Sequence, residues 1–185
     1  MQDNLQINET IKGYYFLEQD GKIIAKGHNL IVNDGRDFIF KRLAYALGLI
    51  TQTNANNITE SDESKRTFYK IYAGGKTIES GKGYDYMTVP GTTFEDVEHN
   101  QIEDLACDIP VSGTNSNITF DTDVANRRFK LTLNLVGTSE AYCITEFFIT
   151  TAIDGTDEKL FSRFLIDPIY LTAGSTYNLV YYIGF

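Results

Sequence analysis

Phe129-Lys130-Leu131-Thr132-Leu133-Asn134-Leu135 alternates apolar and polar residues without a break. Successive side chains of an extended chain point to opposite faces, so this pattern predicts a strand with one buried and one solvated face. Three apolar runs follow: Tyr142 to Thr150, Leu160 to Ile166 and Tyr177 to Phe185. Gly137, Asp154-Gly155 and Ala173-Gly174 separate them. Short runs joined by short turns predict antiparallel neighbours.

Working back from this region, Tyr14-Tyr15-Phe16-Leu17 and Ile23-Ile24-Ala25 flank Asp20-Gly21. Asp-Gly suits a two-residue hairpin turn in which both residues take positive φ. The second strand is expected to continue, with a bend at Gly27, through Leu30-Ile31-Val32. One helix is predicted over about 34–47. Asn33 can cap its first amides, Ile39, Leu43 and Leu47 recur at helical spacing, and Phe40 and Ala44 widen that stripe. Gly48 stands where a helix commonly ends in a left-handed residue. Phe68 to Ala73 predicts a strand that Gly74-Gly75 ends. Residues 51–66 are polar and read as an exposed loop, residues 1–12 as an N-terminal arm, and residues 76–117 as loop-rich. The expectation is a mainly β, antiparallel, sandwich-like single domain carrying one helix in its N-terminal half.

Composition agrees with this reading and narrows the function classes. The chain has 185 residues, 12 Tyr, 12 Phe, 20 Thr, no Trp and only 3 Pro. Tyr, Phe and Thr favour pleated, half-buried surfaces. Asp and Glu outnumber Lys and Arg by 25 to 16, a net charge of −9. Tracking nucleic-acid phosphates needs clustered cations, so direct nucleic-acid binding is not expected. No run approaches the roughly 18 apolar residues of a membrane span. The opening Met1-Gln2-Asp3-Asn4 is polar and acidic, unlike a secretory signal.

Few constellations point to chemistry. Gly74-Gly75-Lys76-Thr77 ends like a phosphate-binding loop, but Lys70 holds the position of the leading glycine and no helix pattern follows, so a glycine-rich turn is expected. Asp121-Thr122-Asp123-Val124-Ala125-Asn126 begins like a calcium loop, yet Asn126 and Thr132 replace the required Gly and Glu. The acidic stretch from Glu95 to Asp104, with His99 inside it, reads as a solvated face. Cys107 and Cys143 are expected to be free and buried. His28 and His99 have no nucleophile context. Glu146 lies in an apolar run and needs a partner if buried, and Arg163 is the candidate. No metal or cofactor is implied, and an enzyme built on Glu146 and Arg163 or on the acidic stretch is the weakest reading.

An ordered set of segments resembles virion proteins of tailed bacteriophages. Gly27-His28-Asn29-Leu30-Ile31-Val32-Asn33-Asp34-Gly35-Arg36 resembles a strand running into a helix in that group. Phe68 to Gly75, Ile144-Thr145-Glu146-Phe147-Phe148-Ile149 and Leu160-Phe161-Ser162-Arg163 follow in the same order. Asp167 to Leu171 and Leu179 to Phe185 are similar to the ending of the group. Residues 76–128 and 13–26 depart from it. The resemblance implies a structural part of the neck, collar, tail or fibre attachment, or a capsid decoration. It implies no catalytic residues, a location in the virion after synthesis in the host bacterial cytoplasm, and partners that are copies of itself and other virion proteins. The many tyrosines suggest a second expectation, a carbohydrate- or receptor-binding β-sandwich.

Overall fold

The computed structural model describes residues 12–48, 65–77, 102, 105–109, 113–114, 117–137 and 141–184. The first hairpin consists of β1 (Lys12–Gln19) and β2 (Lys22–Ile31). Its turn residues Asp20 and Gly21 have φ of 53° and 73°, as an Asp-Gly hairpin requires. Lys12, placed in the arm by the sequence, already pairs with Gly184, while residues 1–11 lie outside the described residues. Helix α1 (Asn33–Ala46) follows within one residue of expectation. Gly48 takes φ of 69° just beyond its end.

The remaining strands are β3 (Thr67–Thr77), β4 (Cys107–Asp108), β5 (Gly113–Thr114), β6 (Ile118–Asp123), β7 (Arg128–Val136), β8 (Tyr142–Ile153), β9 (Thr156–Leu171) and β10 (Thr176–Gly184). They form one antiparallel sheet in the order β4-β3-β8-β9-β2-β1-β10-β7-β6-β5. The sheet folds back on itself, so that Phe68 of β3 meets Phe120 of β6 with ring centroids 5.5 Å apart. One main core fills the interior, drawing Leu131, Leu133 and Leu135 from one layer and Ile144, Phe147 and Ile149 from the other. Phe164 is its centre, stacked on Tyr15, Phe147 and Tyr181.

The join between the layers is narrow. β2 pairs with β9 only at Leu30↔Arg163 and Ile31↔Ser162. Side chains reinforce it: Asn29 Nδ2 donates to the Tyr181 hydroxyl, which donates to Ser162 Oγ at 3.0 Å. Three strands thus share one buried polar chain.

Several expectations are corrected. Gly74 and Gly75 do not end β3, which continues to Thr77. A Cβ on Gly74 would come within 2.5 Å of Glu146 Cγ, and one on Gly75 would collide with the Cys143 carbonyl. Both glycines let the neighbouring strand approach, and Gly75 lies at a register shift. The Gly-Lys-Thr ending is therefore strand, not a turn. β9 extends well beyond Leu160–Ile166, and Pro168 sits in it where the β8–β9 register slips between Ile144↔Ile169 and Glu146↔Leu165. A register slip is where a strand tolerates a residue without an N–H. Arg66, read as the end of an exposed loop, is 1% exposed, whereas residues 51–64 lie outside the described residues.

The expected helix stripe holds only in part: Ala44 is buried and Ile39 packs half-buried against the core, but the rest of it faces out. Gly35 approaches the Phe161 carbonyl, and Phe38 packs edge-on against Phe68 and Phe161 at 5.4 and 6.1 Å. Arg42 donates to the Arg66 carbonyl. The inward face is thus Gly35, Phe38 and Arg42, flanked by the half-buried Ile39. Phe40, Leu43 and Leu47 face out, 68%, 58% and 63% exposed.

Candidate functional site

Among the described residues, two places hold side chains that the fold itself leaves to be explained. The first is the polar row on β8 and β9. Glu146 and Arg163 are 2% and 4% exposed, and Arg163 Nε donates to Glu146 Oε2. The two are offset by two pairs along the ladder, which keeps them on one face, since Glu146 lies opposite Leu165 and Arg163 opposite Phe148. Gly74 opposite Glu146 leaves the room its side chain occupies. Each charge neutralises the other where neither could be left alone.

Further along the same strands, Glu158 Oε1 accepts from the Tyr72 hydroxyl at 2.8 Å and from Thr150 Oγ1 at 2.5 Å. Tyr72 stacks on Phe148 with centroids 4.8 Å apart. Burial, and then the bond to Glu158, push the Tyr72 phenol above its ordinary range, so it remains a donor at neutral pH. At the hairpin end, Arg66 Nη1 donates to the carbonyls of Thr151 at 3.2 Å and Asp157 at 2.7 Å, and its Nη2 pairs with the Asp157 carboxylate. The sequence offered no sign of Arg66 beyond its place just before a strand.

Other candidates are dispersed. Asp121 is in β6, while Asp123 caps the 3-10 turn Val124–Asn126 and does not begin a calcium loop. Cys107 and Cys143 are free thiols, half-buried and buried, and burial pushes both above the ordinary thiol range. His28 packs against the Tyr14 ring at 4.8 Å. His99, Glu103 and Asp104 lie outside the described residues. Among the described residues, no three His, Cys, Asp or Glu side chains converge as metal ligands, and no helix is long and apolar enough to cross a membrane.

The second place is the outward stripe of α1. Phe40 and Leu43 lie three residues apart on one face of α1, and Leu47, just past its end, continues that face because its N–H donates to the Leu43 carbonyl at 2.9 Å. Two stripes share this helix at the same period, and periodicity alone does not say which turns inward. The discriminating signal is Gly35: a glycine in the first helical turn marks where the backbone must approach the sheet closely.

These features define a single-domain antiparallel β protein with one helix, in which the buried Glu146, Arg163 and Arg66 tie strands together and the helix keeps an apolar face outside. Comparison with known proteins gives no match to a family model, a curated protein or a solved structure.

Proposed function

We propose that this protein is a structural component of a tailed-bacteriophage particle, in the neck, collar, tail or fibre attachment or decorating the capsid. It acts by assembling with copies of itself and with other virion proteins rather than by catalysis. The observation that carries the assembly reading is the outward stripe Phe40–Leu43–Leu47. A surface helix ordinarily turns its apolar stripe to the core, and a contiguous exposed apolar face marks an interaction site. The assignment to a phage particle rests on the ordered segment resemblance.

Light scattering behind a sizing column at low and high micromolar concentration tests the reading. A discrete oligomer is expected, or tight binding to a neck, collar, tail or capsid protein, and Leu43→Glu should disrupt it without unfolding the monomer. A strict monomer that binds none of those proteins would sink the proposal.

A further inference from the structure

Past its short join with β9, strand β2 keeps an open edge. Val32 donates its backbone N–H to the Phe161 carbonyl at 3.1 Å, and Leu30 pairs with Arg163. Alternate residues of a strand direct their N–H and C=O to the same side, so those of His28 and Lys26 point the same way as those of Leu30 and Val32. The register, if continued, would set Leu165 opposite His28. The Leu165 carbonyl instead accepts from the Tyr15 hydroxyl at 3.3 Å. Gly27 leaves room for that ring, since a Cβ there would come within 2.9 Å of it. Farther along β9 stand the exposed Asp167 and Pro168, and proline has no N–H to offer. Among the described residues, no strand pairs with β2 on this side before Leu30. Unpaired backbone groups along an exposed strand are a template for another extended chain.

The edge also selects what would fit it. Ala25 and Gly27, small and half-buried, lie opposite the core residues Leu17 and Tyr15, while Lys26 and His28 lie opposite Phe16 and Tyr14 on the solvent face. Ile23 and Ile24, at the start of the strand, are 55% and 45% exposed. An added strand therefore needs apolar residues at alternate positions and negative charge to meet Lys22 and Lys26. Leu5-Gln6-Ile7-Asn8-Glu9-Thr10-Ile11 has that alternation, with Leu5, Ile7 and Ile11 in one phase, and Asp3 and Glu9 supply the charge. This arm joins the sheet at Lys12, opposite Gly184 at the margin of β1. Eleven residues extend to about 36–40 Å at most, against roughly 20 Å for the edge from Ile23 to His28. To reach its own β2 the arm would have to turn back over Leu30 and Ile31, where β9 holds the edge. A second copy imposes no such turn. Pairing β2 with β2 of another copy fits badly, because registers that use both residues set Lys26 against Lys26 or His28. We infer that residues 1–11 of one copy add as a strand to the open β2 edge of another, through backbone bonds at Lys26 and His28. The inference deepens the self-assembly reading and uses a surface apart from α1.

The test is zero-length carbodiimide cross-linking of the full chain at high micromolar concentration, read on a denaturing gel and by mass spectrometry. Covalent dimers and longer ladders are expected, with Lys22 or Lys26 of one chain joined to Asp3 or Glu9 of another. His28→Pro removes an outward N–H that β1 does not use, and should weaken association about tenfold, the effect of one lost backbone hydrogen bond. Ile7→Asp alters only the arm and should weaken it as well, even if the proline variant folds poorly. Leu43→Glu should reduce the size of the assembly yet keep these links. The inference is overturned if the links stay within single chains, or if none reaches Asp3 or Glu9. Dimers that neither His28→Pro nor Ile7→Asp weakens would also overturn it, while leaving the α1 interface standing.

Discussion

In β10 and the C-terminal half of β7 every second residue is buried, whereas in β8 eleven consecutive residues, Tyr142 to Ala152, are buried. The first pattern is that of a strand with water on one side, the second that of a strand covered on both. The consequences for polar residues are opposite. On β7 and β10, Lys130, Thr132 and Asn178 reach solvent and need no specific partner. On β8, Glu146 and Thr150 cannot reach it, and each is matched with Arg163 or Glu158. Polar residues are solvated in one layer and obligatory partners in the other, so substitutions should be far costlier in the β8–β9 layer.

Glu146→Ala is the sharpest way to break this comparison. It strands the buried Arg163 guanidinium, and the expected loss is about 3–5 kcal/mol. Chemical denaturation with urea measures it. Replacing both members, Glu146→Leu with Arg163→Met, should recover a large part of that loss, because the cost lies in the unpaired charge and not in the missing attraction. A single-variant loss below about 1 kcal/mol, the size of an exposed pair, would show that the layer is wetter than its burial implies.

Arg66→Met ranks next, at about 2–3 kcal/mol, because it leaves the buried Thr151 carbonyl without that donor and loosens the β8–β9 hairpin. Little of this should come from the Asp157 carboxylate, which is more than half exposed. Asp157→Ala therefore costs much less in the same urea assay. Equal losses would move the weight from the carbonyl bonds to the ion pair.

These residues also show why some of the fold was legible and some was not. Alternation in Phe129 to Leu135 and the Asp-Gly turns at 20–21 and 154–155 stated their structure locally, because one buried face and two positive φ values are properties of a few adjacent residues. Glu146 announced a need, since a carboxylate inside Ile144 to Ile149 requires either water or a cation, and Arg163 was within a hairpin's reach. Arg66 announced nothing: its acceptors lie 85 and 91 residues away, and only the tertiary fold brings them to it. The same holds for the phase of α1, where Gly35 faces the Phe161 carbonyl of a distant strand. Which residues of Tyr14 to Leu17 and Leu179 to Tyr182 face out was not visible either, because both are unbroken apolar runs whose faces are assigned only by register.

Tyr181→Phe probes the seam between the two layers and should cost an intermediate amount, about 1–3 kcal/mol. The hydroxyl links Asn29 to Ser162, and its loss leaves two groups at the join without that partner. Burial pushes this phenol above its ordinary range, so the effect should be the same across neutral and mildly alkaline pH. A loss that varied over that range would mean the phenol ionises in the folded protein and the seam is solvated.

The smallest effect belongs to Asp123, at the exposed end of the β6–β7 hairpin. Asn126 donates to its carboxylate from the side chain at 2.9 and 3.0 Å and from the backbone at 3.3 Å, and Arg128 Nε donates at 2.8 Å. These bonds, led by the Asn126 side chain and followed by Arg128, hold the carboxyl below its ordinary value of 3.8. Because the folded-state value is the lower one, the stabilisation is complete above the unfolded value and is lost as pH falls through the folded value. The urea midpoint difference between the protein and Asp123→Asn should stay flat from neutral pH to about pH 4 and shrink below it. A difference that persisted unchanged into strong acid would assign the role of Asp123 to its hydrogen-bonding shape alone.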